Sequence, residues 1–268
     1  MTNSPADNSP AVPDALRPWI DGVEPMGVRD ELPNAFTDVP DTATKVVVRF
    51  EESGRRETLV IGPRTRATYH VEGDRHVASC VRLRLAPGTL RPLLGAPAVG
   101  LVGQVVPLSG LPTAAARRFA DALAQVGPDG LVVPPGGMPS SPRTAPSSDP
   151  SRMRLLCAAM AALSTRSDRA PAQVKDVARE LSVSERQLRN LFTEDVGLSP
   201  KHYARIDRVR QVLTRAAEVS WAELAASTGY YDQSHMAADF RTLMGVPPRA
   251  FFTGRLPRAT PCRTLRQA

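Results

Sequence analysis

Cysteine is scarce in this chain: Cys80, Cys157 and Cys262 are all there is, and they lie far apart. An odd, scattered set excludes a disulfide framework and a C-x-x-C metal or redox site, and it fits a reducing, cytoplasmic compartment. No apolar run approaches the roughly 20 residues that a membrane-spanning helix needs, so no membrane partner is expected. The stretch from Met1 to Pro13 has neither a positively charged start nor an apolar centre, which argues against export. Lysine is nearly missing too, at Lys45, Lys175 and Lys201, so basic charge is almost all arginine. Also absent are G-x-S-x-G, P-loop, G-x-G-x-x-G and H-E-x-x-H patterns and any paired acid cluster. The chain therefore reads as no enzyme, with no catalytic residue, no metal and no cofactor. His70, His76 and Cys80 are close in sequence, but their spacing matches no standard zinc ligand set and they read as structural.

What charge there is sits unevenly. From Ser151 onward there are 19 basic and 11 acidic residues, a net +8, against 15 and 16, a net −1, for everything before it. A basic half suggests a polyanionic partner, most often nucleic acid.

The expected fold is α+β, with a small β-rich α+β domain first and an all-α domain after it. Lys45–Phe50 and Glu57–Ile61 read as a hairpin about a turn containing Ser53 and Gly54. Val77–Leu85 alternates, with Val77, Ser79, Val81, Leu83 and Leu85 on one face and Arg82 and Arg84 on a wet one. Helical patterning follows around Leu90, Leu93 and Leu94, then from Thr113 to Val126. Seven prolines with glycine and serine fill 127–150, which favours an extended linker. The expected organisation is a disordered tail over 1–18, a sensor or dimerisation domain over 19–126, the linker over 127–150, a DNA-binding domain over 151–256 and a loose tail over 257–268.

Two units in the basic half share one design. Val174, Val177, Ala178 and Leu181 form one apolar helical stripe, and after a three-residue turn Ser184 and Gln187 make a capping box for a second helix. That helix buries Leu188, Leu191 and Phe192, ends near Gly197, and turns Arg186, Arg189, Asn190 and Thr193 the other way. Outward Arg and Asn suit the major groove, where Arg can grip guanine O6 and N7, and Asn adenine N6 and N7, each through two bonds. The second unit has Ser220 and Glu223 as a capping box, Gly229 at the turn, Asp232 as a cap, and Met236, Phe240, Leu243 and Met244 facing the core. Gln233, Ser234 and His235 occupy its first turn, where a recognition helix presents base-reading side chains. Between the units Pro200–Arg215 reads as one helix, with Ile206, Val209 and Leu213 inward and Lys201, Arg205, Arg208 and Arg215 along an outer stripe.

Through SERQLRNLFTEDVGLSPKHYARIDRVRQVL and SWAELAASTGYYDQSHMAADFRTLMGVPPRAFF the chain resembles the AraC family of bacterial transcription regulators. The resemblance implies sequence-specific binding of double-stranded DNA through two helix-turn-helix units. Its base-contacting positions fall on Arg186, Arg189, Asn190, Gln233, Ser234 and His235. Ala237, Ala238 and Asp239 stand where that family often has polar or basic residues, which implies a weaker second unit; Met236 replaces the usual aromatic, and Phe252 the usual closing basic residue. LVIGPRTRATYHV, HVASCVRLRLAPGTLRPLLGAP and GQVVPLSGL resemble a sensor-like domain found in front of such units. That resemblance implies a small-molecule effector or homodimerisation, and RNA polymerase as a partner if the protein activates.

Two rival readings are a nonspecific nucleic-acid or RNA-binding protein, and an alkylation-responsive regulator using Cys80 or Cys157 as a lone reactive thiol. Trp221, Phe240, Phe251 and Phe252 lie on apolar helical faces and read as core residues.

Overall fold

The computed structural model describes residues 17–26, 35–71, 77–123, 149–165 and 172–261. The expected linker falls outside these apart from its last two residues, as do the first 16 residues of the chain, Val126 and His76.

The N-terminal unit is built on two small sheets. Its strands are β1 (Ile20–Met26), β2 (Ala35–Asp38), β3 (Lys45–Glu51), β4 (Arg56–Ile61), β5 (Thr68–Val71) and β6 (Val77–Leu85). Helix α1 (Leu90–Leu94), a 3-10 turn at Ala98–Leu101, strand β7 (Val105–Pro107) and helix α2 (Ala114–Leu123) follow. The larger sheet has the antiparallel order β1-β6-β3-β4-β7. Alternation sends Val46, Val48, Phe50, Val60, Val81, Leu83 and Leu85 to one face, where α1 and α2 cover them with Leu90, Leu93, Leu94, Phe119 and Leu123. Trp19, fully buried just ahead of β1, joins this core.

The other face of that sheet is not simply wet, as the alternation of β6 had suggested. Cys80, Val47 and Leu59 are buried together there. Arg84, on the same side, gives both oxygens of Asp41 a hydrogen bond, at 3.1 and 3.0 Å.

The C-terminal unit is helical: α3 (Pro150–Leu163), α4 (Val174–Glu180), α5 (Glu185–Asp195), α6 (Pro200–Arg215), α7 (Trp221–Ser227), α8 (Gln233–Met244) and α9 (Pro248–Phe252). Asp149 caps α3, accepting from the Ser151 and Arg152 amides, and Pro150 fills the first helical position, where no amide proton is needed. Phe192 and Phe240 are fully buried at its centre with Ile206, Val209, Val212 and Leu224. Truncating either ring to alanine would cost about 3–5 kcal/mol. Val212, which the sequence pattern passed over, is fully buried on α6, and Leu213 lies half-buried at the edge.

Within the segment expected as a loose tail, Thr260–Pro261 form a short strand, β8, pairing in parallel with His70 and Val71. The smaller sheet, β2-β5-β8, thereby ties the end of the helical unit to the N-terminal one. An exposed edge of β5 supplies amides and carbonyls to any extended neighbour, a pairing that composition does not reveal.

Candidate nucleic-acid interface

The turns of the two helix-turn-helix units share their backbone hydrogen bonds, residue for residue. At the first turn the amides of Leu181, Ser182 and Val183 donate to the carbonyls of Val177, Arg179 and Ala178 at 3.0, 3.1 and 2.9 Å. At the second, the amides of Thr228, Gly229 and Tyr230 donate to Leu224, Ala226 and Ala225 at 3.0, 3.1 and 2.9 Å. The middle residue is left-handed in both, Gly229 at φ 74° and Ser182 at φ 55°. Serine there bears a steric cost that glycine avoids.

Each recognition helix then starts on a side-chain cap. Ser184 Oγ accepts from the Gln187 amide at 3.1 Å while Gln187 Oε1 accepts from the Ser184 amide at 2.8 Å, both arms of the expected capping box. Asp232 Oδ1 accepts from the His235 amide at 2.7 Å. The box expected at Ser220 is half-made: Ser220 Oγ accepts from the Glu223 amide at 3.3 Å, without the reciprocal bond.

Arg186, Arg189 and Asn190 are exposed together on α5, opposite buried Leu188, Leu191 and Phe192, and Thr193 is half-buried beside them. Neither arginine makes an ion pair among the described residues. Gln233, Ser234 and His235 are exposed in the first turn of α8, ahead of buried Met236. The two groups stand on separate helices, with α6 running 16 residues between them.

The outer stripe expected on α6 is different in kind. Lys201 is exposed, but Arg205 and Arg208 turn to Asp239 of α8. Asp239 Oδ1 accepts from Arg205 Nε at 3.1 Å and Nη2 at 2.8 Å, and Oδ2 lies 3.5 Å from Arg208 Nη2. Their side chains are only 26%, 19% and 13% exposed, so water screens these charges weakly. Arg208 also lies 4.9 Å above the centre of the buried Tyr230 ring, and burial pushes the Tyr230 hydroxyl pKa up to about 12. Sequence reading missed this cluster because Asp239 lies 34 and 31 positions from its partners. It also passed over Tyr231, which stands 93% exposed in the turn before α8.

Trp221, Phe240, Phe251 and Phe252 do gather: Phe252 meets the other three rings although it is 42% exposed, while Phe240 is fully buried against Phe251 and Phe252.

The N-terminal unit touches the ends of both recognition helices away from their caps. The Ala67 amide donates to the Leu243 carbonyl at 2.7 Å, and the Tyr69 hydroxyl to the Met244 carbonyl at 2.5 Å. Beyond α5, Gly197 (φ 80°) lies so close to the 3-10 turn that a Cβ would sit 2.7 Å from Val102 Cγ2 and 2.8 Å from the Ala98 carbonyl. On α6, Arg210 donates to the Pro40 carbonyl at 3.1 Å and lies 3.5 Å from Asp41.

Burial raises the thiol pKa of Cys80 and of Cys157, the latter aided by the Asp21 carboxylate, opposite to the shift that activates a nucleophilic cysteine. Among the described residues no group of three or more His, Cys, Asp or Glu could hold a metal ion. Among them, too, no helix is long and apolar enough to cross a membrane.

A family model described as "Helix-turn-helix domain" matches residues 177–254. The HTH-type transcriptional regulator GbdR of Pseudomonas aeruginosa is 33% identical over 82 residues, which are 30% of this chain and 22% of that protein. Among solved structures, an AraC-type DNA-binding regulator from Chromobacterium violaceum is 25% identical with a TM-score of 0.33, covering 40% of this chain and 96% of that one. ToxT from Vibrio cholerae O395 is 11% identical with a TM-score of 0.38, covering 88% and 98%. Residues 177–254 of this chain thus match a helix-turn-helix domain, and the chain spans about a fifth of the length of the curated relative it resembles.

Proposed function

We propose that the protein is a sequence-specific, DNA-binding transcription regulator whose N-terminal unit tunes a two-part DNA-reading domain. The observation that carries this reading is the pair of matching helix-turn-helix units, each presenting exposed polar side chains opposite a buried apolar face. The net +8 from Ser151 onward supplies the attraction to a duplex. No step of this reading needs catalysis, and a genomic target places the protein in the cytoplasm. Residues 19–126 act as the sensing or dimerising unit, 127–150 as the linker and 151–256 as the DNA-binding unit. Support for an effector-responsive role comes from the contacts that the N-terminal unit makes with α5, α6 and α8. A regulator that activates would in addition meet RNA polymerase.

Selection from randomised duplexes, followed by binding titrations, tests the proposal. Arg186→Ala, Arg189→Ala and Asn190→Ala should each cost about 1–3 kcal/mol of discrimination at one base position. Equal affinity of the wild-type chain for all duplexes would instead mean a nonspecific nucleic-acid binder, and unchanged discrimination in all three variants would remove α5 from the reading.

A further inference from the structure

His235 is the one candidate base-reading residue on α8 whose side chain is held by a neighbour. The Tyr230 ring stands edge-on to the imidazole, with centroids 5.3 Å apart and planes at 83°. Gln233 and Ser234, by contrast, make no side-chain hydrogen bond among the described residues. Tyr230 is itself fixed: it is 5% exposed, and Arg208 of α6 covers its face at 4.9 Å. Arg208 is held in turn by Asp239, whose other oxygen takes two hydrogen bonds from Arg205. Asp239 lies four residues beyond His235, one turn along the same flank of α8. The contacts thus form a closed circuit that leaves α8 at Asp239, crosses to α6 and returns through Tyr230 to His235.

A free histidine at an exposed helix start samples several rotamers, and the entropy lost on ordering it weakens any base contact it makes. Tyr230 removes part of that freedom before DNA arrives. The two arginines meanwhile face a carboxylate rather than solvent, so their charge is directed inward.

We propose that Asp239, Arg208 and Tyr230 are positioning residues that fix the His235 ring for base reading, so that the block read by α8 holds one well-specified base pair in otherwise degenerate surroundings. This rests on the DNA-binding reading above. It also accounts for an acidic residue where basic contact is missing, since Asp239 serves as the anchor of the circuit.

The test is selection from randomised duplexes with the full-length chain and four variants. His235→Ala first marks the position that this side chain reads. Asp239→Asn, which keeps the shape and removes the charge, should lower discrimination at that position about tenfold while leaving the block read by α5 unchanged. Tyr230→Leu should do the same, and Tyr230→Phe, which keeps the ring, should retain wild-type preference. Unchanged preference in Asp239→Asn would overturn the inference. So would uniform weakening at every position of both blocks, which is the mark of a purely structural ion pair. If the wild-type chain enriches no sequence at all, the DNA-binding reading fails and the inference falls with it; two clear blocks that ignore Asp239 and Tyr230 sink the inference alone.

Discussion

The Tyr69 hydroxyl donates a 2.5 Å hydrogen bond to the Met244 carbonyl, joining residues 175 positions apart. With the Ala67 amide on Leu243, it caps the second recognition helix from outside, serving two of the terminal carbonyls that a helix cannot satisfy internally. Tyr69→Phe leaves the Met244 oxygen without that donor in a buried place, a loss of about 1–3 kcal/mol that a urea unfolding curve would register as a lower midpoint. An unchanged midpoint would mean that the bond contributes nothing.

Asp41 predicts how stability responds to acid. The residue is 3% exposed, and burial alone would raise its pKa, but Lys45 at 2.6 Å, Arg84 at 3.0 Å and Arg210 at 3.5 Å outweigh that and hold it at about 2. A carboxyl whose pKa is lowered on folding stabilises the fold fully above its unfolded value, near 3.8, and loses that contribution as pH falls toward 2. The contribution is about 2 kcal/mol. Asp41→Asn should therefore lower stability at pH 7 and flatten the stability profile between about pH 4 and pH 2. A variant that kept the wild-type slope there would show that other carboxylates set it.

Ser182 and Gly229 occupy equivalent turns with left-handed backbone. Ser182→Gly should leave thermal stability equal or raise it by less than about 1 kcal/mol, whereas Ser182→Val, with its branched Cβ, should cost about 1–2 kcal/mol. A valine variant that melts with the wild type would contradict the turn geometry.

Much of the helical unit was legible because its signals are local. Ser184 and Gln187 are three residues apart and bond each other, and Pro200–Arg215 announces itself by Ser199, Pro200 and its apolar spacing. What stayed hidden depends on partners distant in sequence. Arg205 and Arg208 look like a solvated stripe until Asp239 is seen beside them. Arg84 looks wet until Asp41 arrives, and nothing near Thr260 foretells its pairing with β5. Strands β1, β2, β5 and β7 are short or irregular, and their pairing outweighs weak local propensity. The exposure of Arg186, Arg189, Asn190, Gln233, Ser234 and His235 followed from the opposite, buried stripe, whereas the circuit behind His235 did not.

One chain is expected to read DNA with both units at once. The connecting helix α6 has 16 residues, about 24 Å at 1.5 Å per residue, a length suited to recognition helices entering successive major-groove segments about 34 Å apart. The most direct measurement is the affinity of the full-length chain for its selected duplex before and after five base pairs are inserted between the two blocks. Half a helical turn carries one block to the far side of the DNA, so affinity should fall by about tenfold or more. An unchanged affinity would mean that only one unit touches DNA, and would contradict the two-unit mechanism.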